Sequence, residues 1–491
     1  MQFWVIILFA VVLLRNSLGS AVGTGAFGLS GWETAALALG PLAALALGTH
    51  LVLLGAWRLL DRTGSMRALA LADRMVTVGR AGVVALHAFN ILVLGWLDLV
   101  RESIGDLVLV DEALGVAPPL AAIAAMWWSF YPIDRALREA AQMRRFDTGQ
   151  PVYPVPSRGA YLWSNLRHSV LLTAVPMTLV VGWIETFELV LRRAGDWGGT
   201  HPSSWRPVAA LARWVHEPGV HEWVTTGGHL VGIAAVFLLG PLAMRMVWDT
   251  VPLGAGPMRD RLESMCGRTR VGVRELLVWR THGSMVNGAV MGLVAPVRYV
   301  LLTDALLDSL PERQVEAVMA HELAHVRRRH IPWLAGVMFA GFSAVALLAD
   351  WAARLVPWPS AGAAASAADI ALGAGSLAVV LVGFGYASRR FEWQADAFAA
   401  QHLAGDSPTV THEAVEAMAG ALESVARLNH IPRRKFTWRH GSIAQRQQKL
   451  RALVGLPVDD LPIDREVRRI KLVAVVVLAL SVGVGVVQGL G

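Results

Sequence analysis

The sequence predicts a mainly α-helical, polytopic membrane protein with eight or nine spans and a small extramembrane unit containing a short β-sheet. Three observations carry that expectation. Of 491 residues, 55% are hydrophobic and only 16% charged, where a soluble chain carries about 25% charge. Mean hydropathy is +0.48. Apolar runs long enough to cross a bilayer, which takes roughly 20 residues, recur along the chain.

In order, these runs are 35–57, 81–99, 113–131, 169–191, 224–247, 333–356, 367–386 and 472–490. A ninth, 1–14, is shorter and stops at Arg15. No basic residue precedes it, so it is expected to be an uncleaved anchor, although residues 20–23 are small enough for a weak cleavage region. The loops orient the rest, because Arg and Lys accumulate on the cytoplasmic side. Arg58, Arg62, Arg67, Arg74 and Arg80 lie between the first two long runs; Arg135, Arg138, Arg144, Arg145, Arg158 and Arg167 lie between the third and fourth. The loop after the second run carries Glu102, Asp106, Asp111 and Glu112 against Arg101, and 357–366 has no charge. This alternation puts the stretches before 333 and after 389 in the cytoplasm. The loop 192–222 runs against it, with four arginines on the outer side.

Five stretches follow. Residues 1–250 form an N-terminal transmembrane region. Residues 251–332 form a first cytoplasmic segment, 333–388 a two-span hairpin, 389–470 a second cytoplasmic segment with a basic C-terminal part, and 471–491 a last span. The net charge is +7. Its basic residues flank the runs, where anionic headgroups attract them, so the expected partner is the lipid bilayer and not nucleic acid. Lysine occurs only at 435, 449 and 471. With abundant Ala, Gly and Trp, that suggests a GC-rich genome and a bacterial inner membrane. Cys266 is the only cysteine, so no intrachain disulfide is possible, and it reads as a lone thiol in an Arg-rich region. His50 and His87, inside runs, read as partners of neighbouring helices. His330, after three arginines, reads as solvated or headgroup-facing.

The first cytoplasmic segment contains His321-Glu322-Leu323-Ala324-His325. On a helix, positions four apart share a face, so both imidazoles can grip one zinc ion. Glu322 between them can take a proton from water. Ser309 and Glu312 form a capping-box pattern with Pro311 in the first turn, which predicts a helix from about 310 to 330. Zinc still lacks a protein ligand. Glu392 and Asp396, four apart where a new helix is expected after the run 367–386, supply two carboxylates. One would bind metal and the other would hydrogen-bond a ligand histidine.

H-E-L-A-H, then two apolar runs, then R-R-F-E-W-Q-A-D-A-F-A, resembles the membrane zinc endopeptidases that include the CAAX prenyl proteases and the bacterial heat-shock membrane proteases. The resemblance runs from about Arg274 to Leu453 and is closest to the multi-span CAAX branch. It implies that Glu392 is the third zinc ligand and that Asp396 supports a ligand histidine. Val286–Gly292 resembles the family's S-N-A-x-x-x-G strand, with Gly288 where the family has Ala; Asn287 would then contact substrate along the cleft, and 298–303 reads as the next strand. Arg439–Arg446 resembles H-P-S-x-x-x-R, with Gly441 in place of Pro. By that likeness His440 stabilises the oxyanion and Arg446 braces the site.

The expected function is therefore an integral-membrane zinc metalloendopeptidase with one Zn2+ per chain. It would hydrolyse peptide bonds of membrane-associated or lipidated proteins or peptides, with Glu322 as base. The alternative is a zinc-bearing membrane sensor or scaffold with slow, regulated or absent proteolysis. A transporter would need paired charges or broken helices at mid-membrane, and no convincing set is legible.

Overall fold

The computed structural model describes residues 2–18, 28–149, 151–200, 210, 214–215, 217, 219–355 and 362–489. They form two compact units, Met1–Asp249 and Thr250–Gly491.

The first unit is helical: α1 (Gln2–Leu18), α2 (Gly31–Thr63), α3 (Met66–Leu92), α4 (Trp96–Ile104), α5 (Val110–Asp147), α6 (Arg158–Asn165), α7 (Leu172–Thr200) and α8 (Val220–Val247), with a π-helical stretch (Leu166–Leu171) joining α6 to α7. Leu8, Leu42, Val83, Ile91, Leu97, Ile123 and Met126 make its main core. Both span histidines bond neighbouring helices: His87 Nε2 lies 3.0 Å from the Leu8 carbonyl oxygen, and His50 Nδ1 lies 2.9 Å from Ser129 Oγ. A buried ion-pair set, not legible in the sequence, ties α1, α4 and α5. The Arg15 guanidinium meets both oxygens of Asp98 at 2.9 and 2.8 Å, and Arg101 meets Asp111 at 2.5 Å and Glu112 at 2.8 Å. The loop's single arginine thus pairs with two of its four acidic side chains at close range.

The second unit begins with β1 (Thr250–Pro252) and α9 (Pro257–Thr269), then β2 (Glu275–Trp279), β3 (Gly288–Met291) and β4 (Tyr299–Thr303). The sheet order is β1-β2-β4-β3. β2 runs parallel to β4, and β1 and β3 are antiparallel to their neighbours. The expected sheet over 286–303 is therefore only half of it. The helices α10 (Asp304–Ser309), α11 (Glu312–Arg327), α12 (His330–Leu355), α13 (Gly362–Leu403), α14 (His412–Leu428), α15 (Ile443–Arg451) and α16 (Pro462–Gly489) follow. All five residues of β4 are buried. Leu276, Val300 and Leu302 from the sheet share a core with Val315, Met319 and Leu323 of α11 and Met418 and Leu422 of α14. Each such side chain contributes about 1.5–3 kcal/mol on burial, which fixes α11 between sheet and helices.

Six helices among the described residues are long and apolar enough to cross a membrane: Gly31–Thr63, Met66–Leu92, Val110–Asp147, Arg158–Ala194, Val220–Val247 and His330–Ala352. The expected count of eight or nine is thus six among these residues. The run 1–14 falls on the shorter α1, while 367–386 and 472–490 fall on α13 and α16, each only partly described in its side chains. The run 81–99 crosses a turn: α3 ends at Leu92 and α4 starts at Trp96. Within 192–222 and 357–366, residues 201–209, 211–213, 216, 218 and 357–361 lie outside the described residues.

Candidate metal centre

α11 carries both histidines of H-E-L-A-H, but its ends differ from the sequence reading. Ser309 closes α10, and Pro311, at φ −57° and ψ 146°, occupies the N-cap of α11. Proline offers no side-chain acceptor there, so the capping box does not form. At the other end the helix stops at Arg327, because Arg329 adopts a left-handed φ of +55°. That turn starts α12 at His330.

α13 is one continuous helix of 42 residues. The run 367–386 and the stretch bearing Glu392 and Asp396 belong to it together, so no new helix begins at Arg389. Glu392 and Asp396 lie one turn apart and are 7% and 2% exposed.

The four side chains converge. His321 Nε2 and His325 Nε2 are 3.3 Å apart, and Glu392 Oε2 and Oε1 lie 3.6 and 3.7 Å from them respectively. For metal bonds of about 2.0–2.2 Å, the edges of a tetrahedron are roughly 3.3–3.6 Å. Among the described residues this is the one group of three or more His, Cys, Asp or Glu whose ligand atoms all lie within 4.8 Å of one another. Two imidazole nitrogens and one carboxylate with an open fourth position form the donor set of a catalytic zinc site, and the residues present fit that ion.

The surroundings hold these side chains in place. Asp396 Oδ1 lies 3.0 Å from His321 Nδ1. Asp396 also accepts a bidentate pair from Arg446, Nε to Oδ2 at 2.8 Å and Nη2 to Oδ1 at 2.6 Å. Arg446 Nη1 is 3.4 Å from Glu392 Oε2. α15 brings Arg446 there, and Ser442 caps it by accepting from the Gln445 N–H at 3.2 Å. His440, half exposed, places Nδ1 3.2 Å from Glu392 Oε1. The next residue, Gly441, sits at φ +76°. A proline, locked near −65°, cannot adopt that turn, so the departure from H-P-S-x-x-x-R reflects a different backbone path.

Electrostatics follow from this packing. Burial pushes the Glu322 carboxyl up to about 7, against a backbone hydrogen bond from Val290. Burial, aided by neighbouring His321, lowers His325 to about 3 and keeps it neutral. Burial would raise Glu392 and Asp396. Contact with His440 and Arg446 instead holds Glu392 well below the usual carboxylate range, and Arg446 with His321 lowers Asp396.

β3 is one of the two edge strands of the sheet and packs beside α11. A Cβ on Gly288 would lie 2.8 Å from Val318 Cγ1, so glycine sets the close approach of strand to helix. Asn287 is exposed; its N–H donates to Thr303 Oγ1 at 3.0 Å and its carbonyl accepts from the Thr303 N–H at 3.0 Å. One residue further back, the Asn429 side chain brackets the Val286 backbone with bonds of 2.9 and 2.7 Å. Asn429 had no distinguishing sequence signal, because its partner lies 143 positions away.

The expectation for His330 also fails. His330 is neither solvated nor headgroup-facing: it is 0% exposed, stacks on Phe391 at 4.8 Å, and meets His325 Nδ1 at 2.9 Å. Five positions from His325 it would miss that face on a straight helix. The turn at Arg329 swings it back. Cys266 is buried in the core of this unit, not on an accessible face.

Residues 275–454 match the family model described as peptidase family M48. The limits agree within a residue with the resemblance read from Arg274 to Leu453. Among solved structures the chain is similar to a crystal structure of Ste24p from S. mikatae, with 14% identity, 84% of this chain and 98% of that chain covered, and a TM-score of 0.35. Among curated proteins nothing matches the chain.

Proposed function

We propose that this chain, whose residues 275–454 match the peptidase family M48 model, is an integral-membrane zinc metalloendopeptidase. The observation that carries the reading is the triangle His321, His325 and Glu392, with edges of 3.3, 3.6 and 3.7 Å. Zinc held by those three residues would polarise the scissile carbonyl and make water a nucleophile near neutral pH. Glu322 takes the proton from the attacking water and passes it to the leaving amine. Its raised affinity for protons suits both halves of that transfer. Asp396 orients His321, and Arg446 holds Asp396 and Glu392 in one arrangement. An extended peptide adds to the outer edge of β3 by main-chain hydrogen bonds, with Asn287 at the start of that edge. His440 donates to the carbonyl oxygen as charge develops there.

The arginine distribution supports a cytoplasmic position for this unit, and the composition favours a bacterial inner membrane. Substrates are proteins or peptides that are membrane-associated or lipidated, since the active unit is continuous with apolar helices. Zinc content and cleavage of a fluorogenic peptide by the purified protein in detergent test the reading. One zinc per chain and hydrolysis abolished by a chelator are expected. Metal-free protein that still cleaves peptide overturns it.

A further inference from the structure

His325 and His321 share one metal site but are held differently. Asp396 faces the Nδ1 of His321 at 3.0 Å. Among the described residues no carboxylate faces the Nδ1 of His325; that atom meets His330 Nδ1 at 2.9 Å. His330 Nε2 meets Gln394 Oε1 at 2.9 Å, and Gln394 Nε2 donates to Asp464 Oδ1 at 2.5 Å. We propose that Asp464, Gln394 and His330 form a relay of positioning residues that fixes the tautomer of His325 and so aims its Nε2 lone pair at the metal. This rests on the zinc reading above and adds three residues to it.

The direction of every bond follows from its far end. Asp464, beside Arg328 Nη2 at 3.6 Å and in the first turn of α16, is a carboxylate that only accepts. Gln394 must therefore turn its NH2 toward Asp464, which leaves its carbonyl oxygen toward His330. That oxygen accepts, so His330 carries its proton on Nε2 and its Nδ1 is a bare acceptor. A bare Nδ1 at 2.9 Å requires a donor, so the His325 proton sits on Nδ1. His325 Nε2 is then unprotonated, and it is the atom 3.3 Å from His321 Nε2.

Packing keeps the chain in register. Phe391 stacks on the His330 ring with 16° between planes, and the His325 and His330 rings meet edge-on at 81°. His330 is 0% and Gln394 4% exposed, so water does not compete for these bonds. The left-handed backbone at Arg329, φ +55°, is what brings His330 under His325. A non-glycine residue in that region costs free energy, and the relay gives the fold a reason to hold it. The relay also joins three elements, α12, α13 and α16, behind a ligand of α11.

The test is zinc affinity of the full chain in detergent, by competition with a chromophoric chelator, together with the d–d spectrum of the cobalt-substituted protein. His330→Phe keeps the stack on Phe391 and removes both ring nitrogens. Loss of an outer partner of a ligand histidine typically costs 10–100-fold in metal affinity, so zinc binding about 10–100-fold weaker and a changed cobalt spectrum are expected. His330→Asn places an acceptor near the position of Nδ1, and recovery to within about fivefold of wild type is expected if the relay works through that atom. If His330→Phe does not fold, Gln394→Met interrupts the same chain and should weaken zinc by about tenfold. A folded His330→Phe or Gln394→Met protein with wild-type zinc affinity and cobalt spectrum overturns the relay. Equal loss in His330→Phe and His330→Asn overturns it too, because packing alone would then explain the effect. Glu392→Ala separates the two readings. If it binds zinc as wild type does, the metal site itself is wrong; if it loses zinc while His330→Phe keeps it, the relay alone fails.

Discussion

Replacing Arg446 with methionine removes a guanidinium that is 8% exposed and meets Asp396 twice and Glu392 once. The two carboxylates left behind are 3% and 10% exposed in their side chains, so water screens them little. Breaking a buried pair by removing one partner costs about 3–5 kcal/mol. For a unit of about 240 residues, where 1 kcal/mol moves Tm by roughly 2–4 °C, the metal-free protein should melt about 6–20 °C earlier. Saturating zinc adds positive charge beside Glu392, so the loss should shrink in its presence. The sign with pH is fixed. Asp396 and Glu392 have folded pKa values below their unfolded ones. Their stabilisation is therefore full above about pH 4–5 and is lost as pH falls through the lowered values. Melting curves by tryptophan fluorescence, with chelator and with zinc from pH 3 to 8, read all three effects. A metal-free Arg446→Met protein that melts within 2 °C of wild type at pH 7 would refute the buried-pair argument.

Glu322→Gln should bind zinc as wild type does and lose about 10²–10⁴-fold in kcat, the scale of a general base; metal analysis beside a peptide assay checks it. His440→Ala should lower kcat and kcat/KM by similar factors, about 100-fold or more, with zinc content unchanged; near-normal turnover removes it from the reaction. Gly288→Ala forces a methyl against Val318 Cγ1 at 2.8 Å and should cost about 1–3 kcal/mol, much of it restored in the double variant with Val318→Ala. Cys266 is buried, and burial pushes its thiol up to about 11. Folded protein should resist thiol reagents until denaturant is added, so orientation is better read at the exposed position of an Asp459→Cys, Cys266→Ala protein, which an impermeant reagent should leave unlabelled in intact cells.

The candidate metal cluster was legible because helical spacing puts its geometry into the sequence. His321 and His325, and Glu392 and Asp396, are each four apart, and a helix turns that into proximity. His330 was illegible for the same reason. Its placement depends on a single left-handed residue, Arg329, and nothing in Arg-Arg-Arg-His announces that turn. The Ser309–Glu312 pattern misled because Pro311 takes the cap and ends the preceding segment in extended backbone. β1 and β2 went unread because three and five residues leave too little alternation to distinguish a strand from a loop. The arginine-rich end of the run 367–386 reads as a helix boundary, yet no glycine or proline interrupts 386–403, and the backbone simply continues.

That continuity has a mechanical meaning. α13 is a rod of 42 residues, roughly 63 Å long, about twice the thickness of a bilayer's hydrocarbon core. Glu392 rides on it six residues past Tyr386, roughly 9 Å beyond the apolar run. On the membrane reading, a bilayer that thins makes such a rod lean. A lean of about 10° carries a point that far out sideways by about 1.5 Å, and a shift of about 1 Å can cost 10²-fold in rate. If the proposed zinc chemistry takes place beside Glu392, the lipid around the helix would thus tune it, with turnover peaking at one acyl-chain length and falling on either side.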